Sequence, residues 1–188
     1  MKPETRKQEI IITAAKLFKQ KGYSAVTMRD LAKSMGIKAA SLYNHINSKQ
    51  EILTDIIISL AEEFTKGMTV IKSSNSNNLD KLRAIVNLHV DITTRNTFGM
   101  ASLNNDWMHL EEQLNYYMKL RHNYEDNFRD IINQGIANGE ITNTNLDVML
   151  FSMLSTLRSL YIWIPKKEDV KPEELTKQLS EVLINGII

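Results

Sequence analysis

Residues 27–45, TMRDLAKSMGIKAASLYNH, decide how this chain folds. Thr27 is a helix N-cap residue, and Asp30 three positions on makes a shortened capping box, so a helix opens there. It is expected to end near Met35. Gly36 then supplies a sharp turn, and a second short helix follows from about Lys38 to His45. A short helix held rigidly by a first one, on a positive surface, suits the reading of a DNA major groove.

The charge around this stretch supports that reading. Residues 1–50 hold ten Lys or Arg against three acids, a net +7, and residues 51–188 hold thirteen bases against nineteen acids, a net −6. The overall +1 conceals a basic head on an acidic body, so one end is suited to a polyanion and the other is not. A merely solvated basic face would carry the same charge. Its coincidence with a helix-turn-helix pattern favours nucleic acid.

Composition bounds the rest. The 188 residues, 43% hydrophobic and 24% charged, match a soluble globular protein of one ordinary domain, or of a small and a medium unit sharing a helix. The absence of cysteine excludes disulfides and thiolate metal sites and fits a reducing interior. Lys16 interrupts the early apolar run Ile10–Ile12 before it reaches signal-peptide length. The most apolar long segment, Leu146 to Ile164, contains Asp147 and Arg158, so no membrane span and a cytoplasmic location are expected.

Nearly every segment reads as helix, and strand signals are lacking. Helix one runs from about Pro3 to Lys21, with Ile10, Ile11, Ala14, Leu17 and Phe18 on one stripe, and Gly22 closes it. Tyr23 and Val26 can pack beneath the next helix. Ser48–Lys49–Gln50–Glu51 is a second capping box, opening a linking helix over about 48–71 whose apolar face includes Ile52, Leu53, Ile56, Ile57, Leu60 and Phe64. The polar run 72–78 reads as a loop. From Leu79 a helix carries Leu82, Ile85, Val86, His89 and Ile92; Gly99 marks a turn, and a short helix follows over about 103–110. A long helix from about Glu112 to Ala137 ends at Asn138–Gly139. Thr144 and Asp147 open a helix to Ile164, stopped by Pro165, and Pro172 starts the last one. The expected fold is all-α with about nine helices: a DNA-binding head over 1–50 and a helical ligand-binding and dimerisation body over 51–188.

Across 9–53 the chain resembles the DNA-binding head of the TetR family of bacterial transcriptional regulators. The residues that carry the resemblance are Gly22–Tyr23, Thr27, Leu31–Ala32, Gly36–Ile37, Leu42–Tyr43, His45, and Ser48–Lys49 before Ile52–Leu53. Helix count and two apolar C-terminal helices extend it loosely to the whole chain. Two positions depart from the pattern: Lys38 stands where a serine usually caps the recognition helix, and Ile46 replaces an aromatic. A lost cap costs ~1 kcal/mol, which shifts the burden of holding that helix onto Leu42 and Ile46.

Thr27, at a helix N-terminus, can offer its hydroxyl and backbone amides to a phosphate. Arg29 and Lys38 can reach into the groove, where Ala39, Ala40, Ser41 and Asn44 would face the bases. Asn can pair with adenine, and alanine can touch thymine methyls. The resemblance implies phosphate contacts for Tyr43 and Lys49 and includes His45 in the DNA-binding set. For Tyr43 a second reading has its ring covering the small core with only the hydroxyl free. One head spans too few base pairs for useful specificity, so a homodimer on a palindromic operator is expected.

In the body, Ser152, Ser155, Thr156 and Ser159 form a small-residue stripe that permits close helix approach. The resemblance implies that this helix and the last one, with Leu175, Leu179, Val182 and Leu183, form a four-helix dimer interface; intramolecular packing is the plainer alternative. The middle helices would then enclose a site for a small apolar or amphipathic effector. Its candidate residues are Phe64, Met68, His89, Met100, Leu103, Trp107, Tyr117, Arg121, Tyr124, Phe128 and Met153, with Ile85, Ile92 and Leu110 beside them. Arg121–Tyr124, Gly135–Ile136, Gly139–Glu140–Ile141, Trp163–Ile164–Pro165 and Glu173–Glu174–Leu175 look like a subgroup sensing fatty-acyl or steroid-acyl coenzyme A thioesters. Arg121 and Arg158 are the cations available to an anionic ligand group, with an ion pair to a body carboxylate as the alternative.

The expected function is that of a repressor released from DNA by its effector, with no catalytic residue, metal or cofactor. Asp106, His109 and Glu112 recur every three residues, but that spacing drifts around a helix and no second histidine supports a metal site. A rival function keeps DNA binding in a chromosome-associated or division factor whose body binds a protein partner. A pure dimerisation module leaves the basic head unexplained.

Overall fold

The structure, a computed structural model, describes residues 5–167 and 171–187. The expected helix start at Pro3 lies outside them. Among the described residues there are nine α-helices and no strand: α1 (Arg6–Lys21), α2 (Met28–Ser34), α3 (Ala39–Leu42), α4 (Lys49–Ser73), α5 (Asn78–Arg95), α6 (Thr97–Asn105), α7 (Leu114–Ala137), α8 (Leu146–Trp163) and α9 (Pro172–Asn185). Short 3-10 turns cover Trp107–His109, Glu111–Gln113 and Ile164–Lys166. The chain divides into two compact units, one comprising the residues up to Ala61 with Asn96–Met118, the other Glu62–Arg95 with the residues from Lys119 on.

In the first unit local capping starts the helices and apolar burial holds them. Thr5 and Gln8 form a capping box on α1, which the sequence reading did not pick out. Thr27 and Asp30 form the expected box on α2: the Asp30 amide donates to the Thr27 hydroxyl at 3.1 Å and the Thr27 amide to the Asp30 carboxylate at 2.9 Å. Gly36 takes φ +67° at the turn, where a side chain would strain the backbone. α3 is shorter than the expected Lys38–His45. Lys38 makes no side-chain cap, and residues 43–45 continue as turns. A four-residue helix has little stability of its own. Leu42 and Ile46, 0% and 1% exposed, supply it by burial, at roughly 1.5–3 kcal/mol each.

The Ser48 box is half-formed: the Glu51 amide donates to the Ser48 hydroxyl at 3.0 Å, while the Glu51 carboxylate accepts instead from the Asn47 amide at 2.8 Å. Lys7 bridges Glu51 and Asp55, tying α1 to α4. The sequence reading placed a turn at Gly99, but α6 already starts at Thr97. Asn96 caps it by accepting from the Gly99 amide at 3.0 Å. A β-carbon on Gly99 would lie 2.7 Å from the Asn96 amide group, so the glycine makes room for the cap. α6 packs on α1.

In the second unit α5 packs on both α8 and α9. Its N-terminus is held by Glu140, whose carboxylate accepts from the Asn78 amide at 2.7 Å. The turn after α7 folds back so closely that a β-carbon on Gly135 would lie 2.5 Å from Ile141. The segment Leu146–Lys166 is long and apolar enough to cross a membrane by length and composition alone. It buries Met149, Leu150, Met153, Leu154, Leu157 and Leu160 within the unit, as the core helix of an ordinary helical domain does.

Candidate functional site

Most of the DNA-facing candidates lie on the exposed surface of the first unit. Thr27, Arg29, Lys38, Ala40, Tyr43, Asn44 and His45 are exposed, while Ala39, Ser41 and Lys49 are half-buried. Among the described residues neither Arg29 nor Lys38 is engaged in an ion pair, so both remain available to an anion. Tyr43 is 54% exposed, so its ring does not cover the core, a task Leu42 performs. The Thr27 hydroxyl donates to Asp30 at 2.6 Å. That bond and the Thr27 amide hold the Asp30 carboxyl below its ordinary range. The cap therefore fixes the entry of α2 and commits the Thr27 hydroxyl proton to Asp30.

Lys49 has a second occupation that the sequence did not signal. Its ammonium donates to the Tyr23 and Val26 carbonyls, both at 2.9 Å, and lies 4.2 Å from the Tyr23 ring centroid. Two of its three donors pin the loop before Thr27, leaving one for a phosphate. Lys49→Ala is expected to lower the salt dependence of DNA binding by about one phosphate contact per protomer, a slope change near 0.9 for each head, and to lower the melting temperature as the loop is released. An unchanged slope with a lowered melting temperature makes Lys49 a purely structural residue.

Tyr23 links this loop to more distant segments. Its hydroxyl donates to the Gln50 side chain at 2.7 Å, Gln50 donates to the His109 carbonyl at 2.7 Å, and the His109 ring stacks on Tyr23 at 5.2 Å. Gln50 was not singled out from the sequence, since nothing local marks a partner 59 residues away.

In the second unit three of the effector candidates meet. Phe64 from α4, His89 from α5 and Tyr124 from α7 pack ring on ring, with centroids 4.6 Å apart for Phe64–His89 and 5.8 Å for the other two pairs. His89 Nε2 and the Tyr124 hydroxyl are 2.9 Å apart, and among the described residues His89 Nδ1 has no partner. Burial, with the charge of Arg158 second, lowers the His89 pKa to about 3, so the ring is neutral. Burial raises the Tyr124 pKa, against a smaller opposing effect of Arg158. Arg121 and Arg158 both bond Glu125 Oε1, at 3.1 and 2.5 Å, the body ion pair weighed from the sequence. Burial works to raise the Glu125 pKa, but the two arginines overcome it and hold it low. Met68, Phe128 and Met153 are buried in this unit. Met100, Leu103, Trp107 and Tyr117 belong to the first unit, where Trp107 and Tyr117 stack at 5.9 Å.

On α8, Ser152, Ser155, Thr156 and Ser159 are exposed beside Val148, Phe151 and Ile162. On α9, Val182 is 73% exposed, Leu179 and Leu183 are half-buried, and Leu175 is buried within its own unit.

Residues 10–56 match the family model of bacterial regulatory proteins, tetR family, and residues 75–187 that of the tetracyclin repressor-like C-terminal domain. The HTH-type transcriptional repressor KstR2 of Rhodococcus jostii is 24% identical over 97% of this chain and 91% of its own. The icaADBC negative regulator IcaR of Staphylococcus aureus is 52% identical over 46 residues, 24% of this chain and 25% of its own. Among solved structures, the ketosteroid transcriptional regulator KstR2 of Mycobacterium tuberculosis superposes with a TM-score of 0.91 at 21% identity, covering 99% of this chain and 96% of its own. The TetR family regulator PfmR of Thermus thermophilus gives 0.81 at 25% identity, covering 94% and 97%. The chain belongs to the TetR family of bacterial regulatory proteins, which are DNA-binding transcriptional regulators.

Proposed function

We propose that the protein represses transcription as a homodimer that is released from a palindromic operator by a small, largely apolar or amphipathic effector. It acts by binding and not by turnover. The observation that carries the DNA half is the exposed set Arg29, Lys38, Ala40, Tyr43 and Asn44 around a rigidly capped α2 and a short α3. Phosphate contacts from Thr27, Tyr43 and Lys49 set the register; Ala39, Ala40, Ser41 and Asn44 read bases, with Arg29, Lys38 and His45 at the margins. Residues 1–50 read DNA, and 51–188 bind the effector and the second copy.

The effector half rests on the aromatic cluster Phe64–His89–Tyr124 and on Arg121 and Arg158, which share one carboxylate and so leave a net positive charge. The neighbour named for ketosteroid regulation supports a lipid-like molecule, and the sequence resemblance to acyl-thioester sensors suggests an acyl thioester. α4 begins at Lys49 and carries Phe64 and Met68, so it links the two tasks. To abolish operator binding the effector must favour the non-binding state by several kcal/mol, ~5.5 for a complete switch.

Selection of binding sites from random duplex DNA, at low and at physiological salt, tests the reading. A palindromic consensus that survives physiological salt is expected. Salt-labile binding without a consensus would favour a chromosome-associated factor instead.

A further inference from the structure

The geometry points to the His89–Tyr124 pair as the polar reader of the effector site, taking a neutral hydrogen-bond acceptor, a carbonyl oxygen, on an otherwise apolar molecule. This rests on the effector reading above and names the group recognised. A neutral imidazole and a phenol hold two polar protons between them, and the 2.9 Å bond uses one. If the Tyr124 hydroxyl donates to Nε2, the proton sits on Nδ1, which has no partner. With the other tautomer Nε2 donates to the Tyr124 oxygen, and the phenol proton is the one left over. Either way one buried donor is unmatched, and leaving it so is costly.

Among the described residues the Ser180 hydroxyl is also buried without a partner, but it differs in kind. A serine hydroxyl turns freely about its bond, whereas an imidazole N–H wedged between the Phe64 and Tyr124 rings is fixed in direction and a phenol O–H keeps to the plane of its ring. The third member of the cluster, Phe64, is apolar, so the matching ligand atom is expected to arrive with hydrocarbon beside it. At this pair a carboxylate fits less well, because the neutral imidazole and phenol bring no charge to balance it. An acceptor without charge, as in a ketone or a thioester, satisfies the donor without bringing an ion into the interior.

The test compares 2-octanone with 2-methyl-1-octene, which replaces the carbonyl oxygen by a methylene group. Binding is followed by calorimetry and by the side-chain NMR signals of His89 and Tyr124. The intact protein should bind the ketone about tenfold more tightly, with the bound carbonyl stretch shifted to lower wavenumber. Tyr124→Phe leaves the imidazole proton in place and should keep the preference. The double substitution His89→Leu/Tyr124→Phe removes both protons and should bind the two probes equally. Replacing both partners together by apolar groups is nearly neutral for stability, and the infrared shift in the unmodified protein stands without any variant. Equal binding by the unmodified protein overturns the carbonyl assignment while leaving the effector site intact. Absence of any response at His89 and Tyr124 to either probe overturns the effector site itself.

Discussion

Phe151→Glu is expected to convert the dimer to monomer and to lower operator affinity by about a thousandfold. Phe151 is 72% exposed on α8, beside Val148 at 60% and Ile162 at 48%. Positions 148, 151, 152, 155, 159 and 162 recur at three- and four-residue spacing, so they form one stripe, apolar at the ends and small in the middle. Three serines at the centre let a second helix come close, while the phenylalanine, valine and isoleucine supply area to bury. A two-fold contact uses the same patch of both copies, so one glutamate per chain puts two carboxylates into one seam. A single head then holds the DNA alone, and its affinity falls toward the non-specific range of ~10⁻⁴–10⁻⁶ M. Ultracentrifugation and a binding titration measure both effects. Circular dichroism should remain helical, since Phe151 is not part of the core. A dimer that persists at micromolar concentration with undiminished DNA affinity would place the interface elsewhere.

The head was legible because its determinants are local. Thr27 with Asp30, the turn at Gly36, and the burial of Leu42 and Ile46 all follow from spacing within twenty residues. Legibility failed where a glycine or a capping residue could serve two ends. Gly99 was read as a turn although Asn96 makes it the first turn of α6, and Glu51 was assigned to Ser48 although its carboxylate serves Asn47. The links over long separations had no local signature. Lys49 to Val26 and Gln50 to His109 depend on how α1, α4 and the turn after α6 come together. In the body, apolar periodicity put Phe64, His89 and Tyr124 on inward faces, but it could not say that they touch, nor that one nitrogen would lack a partner.

The burial of His89 makes the protein sensitive to mild acid. The native His89 ring stays neutral down to about pH 3, whereas in the unfolded chain it accepts a proton near pH 6.5. Between those values the unfolded state binds more protons, so stability is full above about 6.5 and declines as the pH falls toward 3. One proton contributes about 1.4 kcal/mol per pH unit, so lowering the pH from 6.5 to 4.5 should cost about 2–3 kcal/mol. The carboxyls of Asp91, Glu51 and Glu125, whose pKa values are lowered in the fold, add their losses below that window, because unfolded carboxyls protonate near pH 4. Urea unfolding at half-unit steps from pH 7 to 4.5 measures the slope. His89→Leu/Tyr124→Phe should lie nearly flat through this window, converging with or overtaking the unmodified protein at its acid end. Equal slopes for the two proteins would show that water or ligand protonates the native ring well above pH 3, and that the interior around His89 is open enough to hold a charge.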